Sequence, residues 1–271
     1  MIDWIIPALF AGLVAIGVTV AIERMGGKKG GLLGTLPSTI IPASIGLYAA
    51  TPSLTDFQDA LFMTPAGMFV NSLFLFLWRI VPPRLPRWPS PVRLTASVLI
   101  SMAGWAALAA VLINVVIAVE AERSMLSIAI IGFSAIFGIW ACKKNPPAPK
   151  QPRRIGLLTL IARGLLAGAA IGLSVWLGTR GNPLIAGLAA VFPAIYLTTM
   201  CSLWLSHGEA AGAGAIGPMM LGGTSVSLYA WLAAWLIPTA GLAAGATISW
   251  VLAVGLVTLP AWRWLNPSHP R

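Results

Sequence analysis

The chain alternates long apolar runs with brief polar punctuation. Nine such runs are read, at roughly 3–22, 32–50, 58–80, 93–118, 124–142, 156–177, 183–205, 211–237 and 240–262. About 20 apolar residues are enough for a helix to cross the hydrocarbon of a bilayer. The pattern therefore predicts an all-α, polytopic helical membrane protein. The short connectors predict antiparallel neighbours packed in one bundle.

The apolar pattern also contains a repeat. The first half reads Ala11-Gly12-Leu13, then Gly34-Thr35-Leu36-Pro37, then Thr64-Pro65-Ala66-Gly67-Met68. The second half reads Ala167-Gly168-Ala169, then Gly187-Leu188-Ala189-Ala190-Val191-Phe192-Pro193, then Gly217-Pro218-Met219-Met220. Gly34 and Gly187 are separated by the same interval as Pro65 and Pro218. Runs one to four form one unit and runs six to nine another, with run five between them. An odd spacer turns the second unit over relative to the first, which is the ground plan of many transporters. The expected organisation is 1–118 as the first four-helix repeat, 119–154 as a central helix with a linker, and 155–271 as the inverted repeat. Lys144-Asn145-Pro146-Pro147-Ala148-Pro149-Lys150-Gln151-Pro152 is expected to be an extended tether, because proline cannot continue a helix.

Composition agrees with a membrane environment. Hydrophobic residues make up 58% and charged residues 9%, against about 25% charged in a soluble domain. The net charge of +10 would suit nucleic acid, but its distribution argues against that partner. Arg24, Lys28 and Lys29, then Arg79, Arg84, Arg87 and Arg93, then Lys143, Lys144, Lys150, Arg153 and Arg154, and finally Arg263 and Arg271 fall in alternate connectors. The other connectors carry Asp3, Asp56, Asp59, Glu120, Glu122, Arg123 and Arg180. Positive loops face the cytoplasm, so nine crossings give an outside N-terminus and a cytoplasmic C-terminus. Eight or ten crossings would put a large basic cluster outside. The first run follows Asp3 rather than a basic segment, so it reads as a retained span and not a cleaved signal. Cys142 and Cys201 have neither disulfide-framework nor metal-ligand spacing.

The second unit resembles the GlpM-like family of small four-span bacterial inner-membrane proteins. The resemblance is carried by Ala186-Gly187-Leu188, Phe192-Pro193, the polar loop Ser206-His207-Gly208-Glu209 and the Trp- and Tyr-containing span after Pro218, over roughly residues 160–262. The first unit departs from it, with Ile40 where the second has Pro193 and with prolines at Pro37 and Pro42 instead. The resemblance implies a bacterial inner membrane, a four-helix module and an ancestral dimer fused into one chain. Association of chains into a homo-oligomer is compatible with it. The family has no settled activity to carry over.

Few groups in the runs suit covalent chemistry. No Asp or Glu lies near the centre of a run, which disfavours carboxylate-based proton coupling. His207 and His269 fall in a loop and the tail, so no hydrolytic arrangement is suggested. The chain is not expected to be an enzyme or to need a cofactor or metal. Hydroxyls, one amide and proline-broken backbone remain. Proline removes a helix hydrogen bond, and hydrocarbon cannot satisfy the freed carbonyl. Such breaks are expected to face protein or a watery cavity. The candidate substrate-binding set is Pro37, Ser38 and Thr39 in run two, Asn71 and Ser72 in run three, Pro193, Tyr196, Thr198 and Thr199 in run seven, and Thr224 and Ser225 in run eight. Gly222-Gly223-Thr224-Ser225 is either an unwound, ion-coordinating stretch or a close-packing one. Gly164, Gly168 and Gly172 read as a helix-packing stripe, and Arg163 as a side chain snorkelling to the headgroups.

The reading that follows is a transporter or facilitator of a small neutral-polar or anionic solute, with its site between inverted halves. The alternatives are an anion channel and a lipid-handling or scaffold membrane protein. In each, anionic lipid headgroups are expected at the basic loops.

Overall fold

The computed structural model describes residues 4–23, 36–118, 122–144 and 156–265. Asp3, Arg24, Lys28, Lys29, Gly34, Thr35, Glu120, the stretch 145–155 and the tail carrying His269 and Arg271 lie outside these. The described residues are helical with no strand: α1 (Ile5–Glu23), α2 (Ile40–Ala50), α3 (Leu54–Ile80), α4 (Ser90–Ala118), α5 (Arg123–Lys143), α6 (Leu157–Thr179), α7 (Pro183–Ala190), α8 (Ala194–His207), α9 (Glu209–Ala240), α10 (Leu242–Ala253) and α11 (Leu259–Leu265). A π-turn, Val254–Thr258, joins α10 to α11. It falls just before Pro260, which has no N–H to give the helix.

Seven segments are long and apolar enough to cross a membrane, with α7 and α8 forming one of them. The chain is a multi-pass membrane protein. Of the two expected crossings outside this set, one is shorter than read. α1 is a helix of 19 residues, Ile5–Glu23, whereas α2 has 11, only about 16 Å of helix.

α3 and α9 form the centre. Their hydrophobic windows are 72% and 67% buried, against 17% for α4. Leu99, Val111 and Ile117 on α4, Phe133 and Ile136 on α5, and Leu165 on α6 are all well exposed. A water-soluble chain does not tolerate such continuous apolar faces, whereas lipid covers them at no cost. Neither central helix breaks at its prolines: α3 runs through Pro65, and α9 through Pro218 and Pro238. Gly222-Gly223-Thr224-Ser225 is helical too, which leaves the close-packing one of its two readings. Close packing accounts for Gly223, where a Cβ would lie 2.9 Å from Met68 Cε, and for glycines nearby. A Cβ on Gly138 of α5 would lie 2.7 Å from Leu221 Cα, and one on Gly217 2.9 Å from Cys142 Cα.

α1 lies antiparallel along α6, with Trp4 and Ala8 at Gly172, Ala8 at Gly168, and Gly12 and Ile16 at Gly164. The glycine stripe is thus a backbone-to-backbone contact. α3 is likewise antiparallel to α9: Gln58 donates to the Ala234 carbonyl at one end (3.2 Å), and Met68 meets Gly223 near the middle.

Ion pairs join helix ends of like level. Arg93 at the start of α4 meets Glu209 at the start of α9 (2.8 Å), and Trp204 donates to Ser90 beside it (3.2 Å). Asp59 near the start of α3 pairs with Arg123 at the start of α5, where Trp231 donates to Ser124 (3.1 Å). Such half-exposed pairs contribute about 0–1 kcal/mol each, so they align helices rather than hold them.

A bulky side chain in the α1–α6 seam should separate the helices. The Cβ of Gly168→Val would sit 2.9 Å from the Ala8 carbonyl oxygen, and overpacking of this kind costs about 1–3 kcal/mol. A lower melting temperature in detergent is expected for Gly168→Val. Gly132→Ala, where a Cβ meets nothing within 4 Å, should melt like the parent.

Candidate functional site

Among the described residues, the seventh crossing is broken at its middle. α7 stops at Ala190, Val191-Phe192-Pro193 turns, and α8 resumes at Ala194. Pro193 cannot donate to the preceding turn, so the end of α7 closes with tight bonds from Val191 N to Leu188 O (3.2 Å) and Phe192 N to Ala189 O (3.1 Å). The Val191 carbonyl is satisfied from another helix. Asn71 on α3 donates its Nδ2 to Val191 O at 2.7 Å. Its Oδ1 accepts from Trp105 Nε1 of α4, also at 2.7 Å. One partner must accept and the other must donate, so the amide orientation is fixed. Phe192 packs edge-on against Trp105. On the other side, Ser174 of α6 donates to Ala186 O at 2.7 Å.

Small residues let the break come close. A Cβ on Gly187 would collide with the Ala60 carbonyl of α3, and one on Gly67 would lie 2.5 Å from Val191. The broken crossing is thus sunk against α3 between α4 and α6.

The predicted site residues divide into groups. Asn71 and Pro193 meet at the break, where Asn71 holds the joint. Tyr196, buried on α8, points its hydroxyl at Gly223 of α9 beside Met68. Thr224 is buried on α9, and its hydroxyl has no hydrogen-bond partner among the described residues. Ser72 bonds back to Met68 O (3.2 Å) and Ser225 to Gly222 O (2.8 Å), the ordinary arrangement of a helix hydroxyl in an apolar setting. Ser38 bonds to Leu36 O (3.3 Å) in the turn that carries Pro37, and Thr39 precedes α2 without a side-chain cap. No side-chain hydrogen bond among the described residues joins these residues of run two to the other predicted site residues. From that crossing it is Ser44 that reaches α9, 2.8 Å from the Tyr229 hydroxyl, with both side chains fully buried.

Thr198 and Thr199 face α6, and there the expectation for Arg163 fails. Arg163 does not snorkel. It is 5% exposed, and it donates from Nε to Thr198 Oγ1 (3.1 Å) and from a terminal nitrogen to Thr199 Oγ1 (2.8 Å). Its position is the reason. Arg163, Ala167, Ile171, Ser174 and Gly178 recur at helical spacing on one buried face of α6, and that face looks at the broken crossing. The sequence signal was this stripe, in which a cation heads a row of small and polar residues.

No family model matches the chain, and neither the curated proteins nor the solved structures contain a match. Among the described residues, no three His, Cys, Asp or Glu side chains come together to hold a metal ion.

Asn71→Leu should leave the Val191 carbonyl and the Trp105 indole N–H unpaired. Each loss costs about 1–3 kcal/mol. A marked fall in melting temperature is expected, with Ser72→Ala close to the parent. A parent-like Asn71→Leu would show that Asn71 does not hold the joint.

Proposed function

We propose that the chain is a membrane transporter or facilitator of a small neutral-polar or anionic solute. Its site lies between two inverted four-helix units, 1–118 and 155–271, with the helix and linker of 119–154 between them. In this reading it is not an enzyme, and its other partners are anionic lipid headgroups at the basic loops. The GlpM-like resemblance suggests a tandem, inverted duplication in a bacterial inner membrane. The alternation of basic loops suggests an outside N-terminus and a cytoplasmic C-terminus.

One observation carries the reading. A crossing is interrupted in mid-span at Val191–Pro193, where its second half sets Tyr196 against α9 and Thr198 and Thr199 against a buried cation. Interrupted backbone at membrane depth is tolerated only inside protein or along a cavity, and broken crossings are where transporters place substrates. The helix pairing supports the inverted plan. α1 with α6 and α3 with α9 are the pairs that the sequence repeat makes equivalent, and each is antiparallel. An inverting twofold in the membrane plane would set equivalent helices in that way.

Flux into vesicles of the purified chain tests this directly. Saturable uptake of one solute from a panel of anions, polyols and amino acids is expected. Thr224→Val with Tyr196→Phe should reduce it about tenfold, as loss of one or two buried hydrogen bonds to a solute does. Folded protein with no flux would contradict the reading. Turnover orders of magnitude above a carrier's would instead favour the channel.

Orientation is tested separately. In a chain with Cys142 and Cys201 replaced by serine, Arg87→Cys should react with an impermeant maleimide only from the cytoplasmic side, and Arg180→Cys only from the other. Labelling of both from one side would overturn the crossing scheme.

A further inference from the structure

We propose that a cleft between α4, α5 and α7 seats one acyl chain of a phospholipid with a zwitterionic, amine-bearing headgroup, whose phosphate lies at Arg123. The inference rests on the multi-pass membrane fold and not on the transport reading.

α4, α5 and α7 all pack on α3, and they leave a cleft above it. The cleft holds about 230 Å³ of space, part of it open to the surroundings. Met63 and Ala66 of α3 form its floor, and Val116 of α4, Ile130 of α5 and Leu184 of α7 its sides. Arg123 is the one polar side chain that lines it. The neighbouring apolar side chains Val115 on α4, Met125 and Ile128 on α5, and Ile185 on α7 are well exposed. These belong to crossing helices, so the cleft opens sideways to hydrocarbon. Sites for whole small ligands run to about 300–1,000 Å³ and place polar groups along their walls. This cleft is smaller and its walls are apolar, which suits part of a lipid tail and not a dissolved solute.

The tail alone gives no selectivity, because lipid tails are as apolar as leucine. Selectivity comes from the polar end. α5 begins at Arg123, and Ile130 lies seven residues further on, about 10 Å along the helix. The cleft therefore runs from the end of the crossing into its apolar part, with Arg123 at headgroup level. Arg123 pairs with Asp59, and its side chain is 40% exposed. A guanidinium carries several N–H donors, so it can serve a carboxylate and a phosphate together. Glu122 beside it is exposed and does not cap α5 with its side chain. One cation beside two carboxylates complements a zwitterion: the phosphate accepts from Arg123, and the ammonium donates to the carboxylate of Glu122. A choline headgroup has no N–H to donate, and an anionic headgroup brings no cation for the carboxylates.

Native mass spectrometry of the full chain in neutral detergent tests this. Phosphatidylethanolamine, phosphatidylcholine and phosphatidylglycerol with identical tails are added in turn. One retained lipid is expected, with phosphatidylethanolamine held most tightly. Arg123→Gln should weaken its binding about two- to fivefold, the scale of a half-exposed ionic contact. Ile130→Phe fills the side of the cleft and should weaken all three lipids. It carries the test if Arg123→Gln does not fold. Ile136→Phe, at a well-exposed position on the same helix, should bind like the parent. Equal retention of the three lipids, a preference for phosphatidylglycerol, or retention unchanged by both Arg123→Gln and Ile130→Phe overturns the proposal. A dimer that Ile130→Phe abolishes also overturns it, by putting a second copy of the chain in the cleft. The measurement involves no flux, so its failure leaves the transport reading standing.

Discussion

Backbone polar groups in hydrocarbon must find partners inside the protein. The seventh crossing makes that constraint acute, because Pro193 ends one helix and begins another in mid-span. Asn71 answers it by donating to Val191 O while accepting from Trp105. That amide ties α3, α4 and the α7–α8 joint together. Ser174 ties α6 to the same segment. The break is therefore a fixed joint, and the side chains after it, Tyr196, Thr198 and Thr199, are aimed by it.

The rest of the bundle lets backbones come close enough for those bonds. Lipid tails are as apolar as leucine, so helices in a membrane gain little from apolar burial and much from close packing. Gly12 against Gly164, Gly187 against Ala60, Gly67 against Val191 and Gly217 against Cys142 are places where a methyl group would not fit. Polar bonds then form where the helices touch, as between Ser44 and Tyr229 and between Arg163 and the α8 threonines. The outer faces of α4 and α6 carry large apolar side chains that are exposed among the described residues.

Much of this was legible in the sequence. The apolar runs gave the helical class and most helix positions, and Phe192-Pro193 marked the joint. Pro65, Pro218 and the Gly222-Gly223 stretch misled, because a proline or glycine inside a helix breaks it only when neighbours fail to support it. Here α3, α5 and α9 support one another. The short α2 could not be foreseen, since apolar character continues through the turn before it. Asn71 was legible as a buried amide but not in its role, because its partner is a carbonyl 120 residues away. Arg163 looked like an interface arginine, since distance from the helix end says nothing of which way the side chain turns. Its place on the buried stripe of α6 carried that information.

The central proposal is that the broken crossing lines a water-accessible path. Its most direct measure is the reactivity of Thr199→Cys in a chain lacking Cys142 and Cys201, using small methanethiosulfonate reagents of opposite charge. The account predicts modification of Thr199→Cys from the aqueous phase by both charged reagents. Modification by apolar reagents alone would contradict it.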